Sequence, residues 1–131
     1  MRTASAADKS VIVVGGGPAG LASALALAAT DVPVTLAAGP HRPGGFDRDR
    51  RTAALFAGSI ELLRNLGVWD GLKDVCEPLK TIRLIDDTGR LFRAPEVKFN
   101  AHEAGLEGLG FNVPDDALVE ALSARLAATA G

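Results

Sequence analysis

Three glycines in the spacing Gly15-x-Gly17-x-x-Gly20 stand between an apolar run, Val11-Ile12-Val13-Val14, and an alanine and leucine stretch that opens at Pro18. Such a spacing takes a chain sharply out of a strand and into a helix while its backbone lies against phosphate. Gly15 suits the tight turn. Gly17 removes the Cβ that would stand between the backbone and a pyrophosphate, and Gly20 lets helix and strand pack closely. Unpaired N–H groups and the positive end of the helix dipole then face the phosphate charge. The candidate diphosphate loop is therefore Gly15, Gly16, Gly17, Pro18, Ala19 and Gly20.

A dinucleotide site of this kind usually carries an acidic residue at the end of the next strand, about 20 residues past the glycines, to accept from the ribose hydroxyls. Here that place holds Ala37-Ala38-Gly39, so Ala38 is the ribose-side candidate and offers no carboxylate. Asp47 or Asp49 could reach back to it. Arg42 supports a different reading, because an arginine near this strand end can hold a 2'-phosphate and would favour NADP. The glycine spacing alone leaves both open.

These residues need elements to position them. Val11 to Val14 is short, apolar and bounded by glycine, the pattern of a strand buried on both faces of a parallel sheet. Pro18 fits the first helical turn, where its missing N–H is no loss. The helix is expected to run to about Ala29, and Val32-Pro33-Val34-Thr35-Leu36 reads as a second parallel strand, giving one βαβ unit over 11–38. Gly39 to Arg51 is too polar for core and reads as an exposed loop. Ile60, Leu63 and Leu66 have helical spacing stopped by Gly67, and Val68 to Val75 suggests a further short helix. Lys80 to Ile85 and Arg90 to Ala94 flank Asp86-Asp87-Thr88-Gly89, which predicts a hairpin over 80–94. Leu118, Val119, Leu122 and Leu126 predict a terminal helix over 115–128. Residues 1–10 read as a flexible tail, leaving 11–131 as one domain. The class is α/β: a Rossmann-type dinucleotide-binding fold with a small hairpin, its sheet incomplete.

The 131 residues hold 47% hydrophobic and 23% charged side chains, the balance of a folding domain. Fourteen basic against sixteen acidic residues give a net charge of −2, without the field that draws a protein to nucleic acid. One cysteine, Cys76, excludes an intrachain disulfide and leaves too few thiolates for a structural metal site, so no metal is expected. The uncharged stretch from Val11 to Thr30 is broken by Gly15-Gly16-Gly17-Pro18, which argues against a membrane span and a signal peptide. The reading is cytoplasmic, with peripheral membrane association left open. Trp69 and Cys76 read as core, and His41 and His102 as surface.

A family resemblance sharpens this. Val11-Ile12-Val13-Val14-Gly15-Gly16-Gly17-Pro18-Ala19-Gly20-Leu21, then Arg51-Thr52-Ala53-Ala54-Leu55, then the segment from Ser59 to Asp70 with its Leu66-Gly67-Val68-Trp69-Asp70, resemble the ubiquinone-biosynthesis hydroxylases. These are class A flavin monooxygenases related to p-hydroxybenzoate hydroxylase. Phe111-Asn112-Val113-Pro114-Asp115-Asp116-Ala117-Leu118 resembles the family's motif opening a helix.

The resemblance implies FAD as cofactor, NAD(P)H as reductant, O2 as co-substrate and a small aromatic ring of ubiquinone-precursor type as the group hydroxylated. It places Arg51 on the flavin side of the cofactor, where a fixed fork of donors suits phosphate or ring oxygens, with Thr52 beside it. On composition alone Arg51 is one charge in the run from Asp47. The chain departs from the family at Ala38, where an acid is usual, and at Asp115, where an amide is common and a carboxylate would face cofactor phosphates. The family's later Gly-Asp segment and most of its substrate region are not in this sequence, so the resemblance implies the amino-terminal part of a longer enzyme. No side chain is assigned a catalytic role. Two alternatives stay open: a non-catalytic dinucleotide-binding module, and an NADP-binding reductase fragment using Arg42.

Overall fold

The computed structural model describes residues 10–30, 32–39 and 51–129. Strand β1 (Val11–Val14), helix α1 (Pro18–Ala28) and strand β2 (Val34–Ala37) follow one another, and the two strands pair in parallel with Val11 opposite Val34 and Val14 opposite Ala37. The pairing extends past both ends, since Val11 N–H donates to the Pro33 carbonyl and Gly15 N–H to the Ala37 carbonyl, each at 2.9 Å. Pro33 thus lies just outside the strand, where it contributes an acceptor and its missing donor is not needed.

Strand β1 is not buried on both faces, as its composition suggested. Its residues alternate, with Ile12 66% and Val14 81% exposed. The reason is topological: β2 is its one partner among the described strands, and α1, which packs on both, covers a single side.

A second sheet is antiparallel. Its middle strand β7 (Gly110–Pro114) pairs with β3 (Thr52–Phe56) on one side and the two-residue β4 (Glu77–Pro78) on the other. Between them come helix α2 (Ala57–Asn65) and two 3-10 turns, Trp69–Gly71 and Lys73–Val75, where the sequence suggested one short helix. Helix α3 (Asp115–Ala127) leaves β7 directly and packs against α1, joining the two halves of the molecule. Leu21 and Leu25 of α1, Ile60 and Leu63 of α2, Trp69, Leu72, Val113 and Leu118 and Leu122 of α3 form one apolar cluster. Trp69 is core, as expected, with its ring edge-to-face on Phe111 at 5.4 Å.

The hairpin needs a correction. Strand β5 (Thr81–Leu84) pairs with β6 (Val97–Asn100), so the returning arm is not Arg90–Ala94. The side chain of Asp86 accepts from the N–H groups of Thr88 and Ala94, both at 3.0 Å, and so organises a longer connection than a tight turn. Ile82, Leu84, Val97 and Phe99 share one face of this ribbon, whereas Arg83, Glu96 and Lys98 lie on the other, with Arg83 held bidentately by Glu96 at 2.8 and 2.9 Å. No described helix is long and apolar enough to cross a membrane.

Candidate functional site

Four glycines lie in or beside the turn from β1 into α1, and three have structural reasons to be glycine. Gly15 has φ +123°, a region that side chains rarely adopt. A Cβ on Gly20 would overlap the Gly15 carbonyl oxygen, which is backbone and cannot move aside. A Cβ on Gly16 would stand 2.9 Å from the Cβ of Ala38, the first residue past β2.

Gly17 differs. Its φ of −81° and ψ of 176° suit any residue, it is exposed, and none of the described residues lies within 4 Å of where its Cβ would be. The described part of the fold gives no cause for a glycine there. A group that must approach this backbone closely would.

That open space borders the start of α1. Gly17 is its N-cap and makes no side-chain capping bond, Pro18 opens the first turn, and the turn carries no acidic residue. The N–H groups of Ala19 and Gly20 have no intrahelical acceptor at this end of an α-helix. Together they form a bare, positively polarised end beside a backbone with no Cβ in the way, which is the donor set a diphosphate requires.

The structure brings Ala38 to this loop, against Gly16 and next to the Ala37 carbonyl that Gly15 bonds. Arg51 and Thr52 belong to a second group. Thr52 begins β3 opposite Pro114 and is an exposed strand residue. The Arg51 carbonyl accepts from Asp115 N–H at 3.1 Å, and its guanidinium Nε stands 4.0 Å from the Asp115 carboxylate. Asp115, read from sequence as an unfavourable charge, therefore has a cation beside it and lies in the first turn of α3. No sequence spacing signals that contact, which exists only because β3 pairs with β7. Arg42, with His41, Asp47 and Asp49, lies outside the described residues. Cys76 is half-buried, and burial pushes its thiol up, away from nucleophilic use.

A family model described as FAD binding domain matches residues 8–125. The chain belongs to that family. It is 33% identical over 117 residues to 3-demethoxyubiquinol 3-hydroxylase of Escherichia coli (strain K12), a match covering 86% of this chain and 28% of that protein. Among solved structures, the flavin-dependent monooxygenase PieE in complex with FAD and substrate is similar at a TM-score of 0.62 and 25% identity, over 92% of this chain and 22% of that one. The p-nitrophenol 4-monooxygenase PnpA of Pseudomonas putida DLL-E4 shares the fold at a TM-score of 0.61 and 17% identity, over 92% and 29%. The resemblance to flavin-dependent hydroxylases read from the sequence is thus borne out, and the chain spans less than a third of the length of these relatives. FAD, the cofactor that the family implies, carries a diphosphate, and the open space at Gly17 beside an acid-free helix start fits that group.

Proposed function

We propose that this chain is the Rossmann-type FAD-binding part of an NAD(P)H-dependent flavin monooxygenase that hydroxylates an electron-rich aromatic ring of ubiquinone-precursor type. The observation that carries the reading is Gly17: a glycine that the described fold does not require, at a point where a diphosphate would lie against the backbone. When bound, FAD supplies the redox chemistry by which O2 and NAD(P)H drive ring hydroxylation.

The chain's own residues hold and orient. Gly15 and Gly20 fix the turn, Gly16 seats it against Ala38, and Gly17 leaves room for the diphosphate. Ala19 and Gly20 donate their N–H groups to it, Pro18 presets the helical turn, and Ala38 lies on the ribose side. Arg51 offers its guanidinium to the flavin side of the cofactor, with Asp115 restraining it and Thr52 next to it on β3. No catalytic role is assigned to any of these groups. The aromatic site and the enclosure that keeps water from the flavin ring belong, in this reading, to further parts of a longer, cytoplasmic enzyme.

Calorimetric titration with FAD, FMN and NADP tests the proposal. FAD should bind more tightly than FMN, which lacks the adenosine monophosphate half and therefore the diphosphate. Tighter binding of NADP than of FAD would contradict it in favour of a reductase.

A further inference from the structure

We infer that the described residues of the site take hold of the adenosine diphosphate half of its cofactor without reading the ribose 2'-hydroxyl, and that Ala38 sets this indifference. The inference rests on the FAD-binding reading above and adds to it a statement about nucleotide specificity. Parallel pairing of Val14 with Ala37, and the bond from Gly15 N–H to the Ala37 carbonyl, place Ala38 at the mouth of the glycine turn. Its methyl group lies where the Cβ of Gly16 would nearly meet it, at 2.9 Å. In a dinucleotide site this strand-end position accepts from the ribose hydroxyl through a carboxylate. A methyl group accepts nothing, and its neighbours Ala37 and Gly39 carry no polar side chain. Removing the 2'-hydroxyl therefore removes no hydrogen bond at this position. Ala38 is exposed, so a longer side chain has room to extend from it.

The test uses the 131-residue chain and four ligands, FAD, ADP, 2'-deoxy-ADP and adenosine 2',5'-bisphosphate, with the last three measured by competition against FAD. ADP and 2'-deoxy-ADP should displace FAD with constants equal within about twofold, whereas a hydrogen bond to a charged acceptor would separate them by roughly tenfold or more. In Ala38→Glu the same pair should separate by about that factor, with circular dichroism checking that the variant is folded. A tenfold preference for ADP in the native chain would overturn the inference and leave the FAD reading intact. So would a folded Ala38→Glu that still treats the two alike. Tighter binding of adenosine 2',5'-bisphosphate than of ADP would also overturn it, since the ribose would then be recognised through a 2'-phosphate. Failure of FAD itself to bind would reject the underlying reading, and the inference with it.

Discussion

Helices α1 and α3 each leave a β-strand through a proline and pack against one another, yet their first turns are opposites. Helix α3 opens with Asp115 and Asp116, and its helical end is neutralised by its own carboxylates, with Arg51 beside Asp115. Helix α1 opens with Gly17, Pro18 and Ala19 and has neither a capping side chain nor an acid. Acid in the first turn stabilises a helix, so α1 forgoes a stabilising choice that α3 takes. Under the proposed function the difference has a reason: the acids of α3 serve the fold, whereas the start of α1, beside the glycine turn, is left open for the diphosphate.

The contrast can be broken at several points. The largest effect belongs to Gly20→Ala, where the new methyl group must displace the Gly15 carbonyl: a loss on the order of 1 to 3 kcal/mol, read as a fall in thermal midpoint, together with loss of FAD binding. An unchanged midpoint would mean that the turn is not built as described. Ala19→Asp makes α1 resemble α3. It should leave the fold at least as stable and weaken FAD binding tenfold or more, because the new carboxylate repels the diphosphate at short range. Affinity unmoved by Ala19→Asp would place the diphosphate elsewhere. The reverse exchange, Asp115→Ala, should cost about 0.3 to 1 kcal/mol by denaturant unfolding, the usual worth of an acid at a helix start.

The smallest effect lies away from both helix ends, in the β5–β6 ribbon. Its hydrogen-bonded Arg83 guanidinium holds the Glu96 carboxyl below the usual carboxylate range. Because the folded value is depressed, the pair supports the ribbon above the ordinary glutamate range, and that support is lost as pH falls through the lowered value. An NMR titration of Glu96 should move upward in Arg83→Gln, and an unmoved titration would show that the pair does not form in solution.

What the sequence revealed follows the same division. The β1-α1-β2 unit was legible because each requirement is local: glycine where a Cβ would collide or φ is positive, proline in the first turn, a β-branched run before it. Ala38 was legible too, since parallel register carries the strand end to the glycine turn. Strand β3 was not, because Thr52-Ala53-Ala54-Leu55-Phe56 becomes a strand only by pairing with a distant β7. The second arm of the hairpin was misplaced for a related reason. Asp86-Asp87-Thr88-Gly89 has the residues of a tight turn, but the Asp86 carboxylate binds forward to Ala94 and delays the return to Val97. The approach of Arg51 to Asp115 needed the same long-range pairing before it could exist.

Under the proposed function Gly17 is a glycine for the sake of the cofactor and not of the fold. Its backbone angles are ordinary and the space over it is open, so Gly17→Val should keep the native circular dichroism spectrum and a closely similar thermal midpoint. Flavin fluorescence titration of the native chain and of this variant is the direct measurement. A folded variant that no longer quenches FAD is the expected result, and a folded variant that binds FAD as tightly as the native chain would contradict the account.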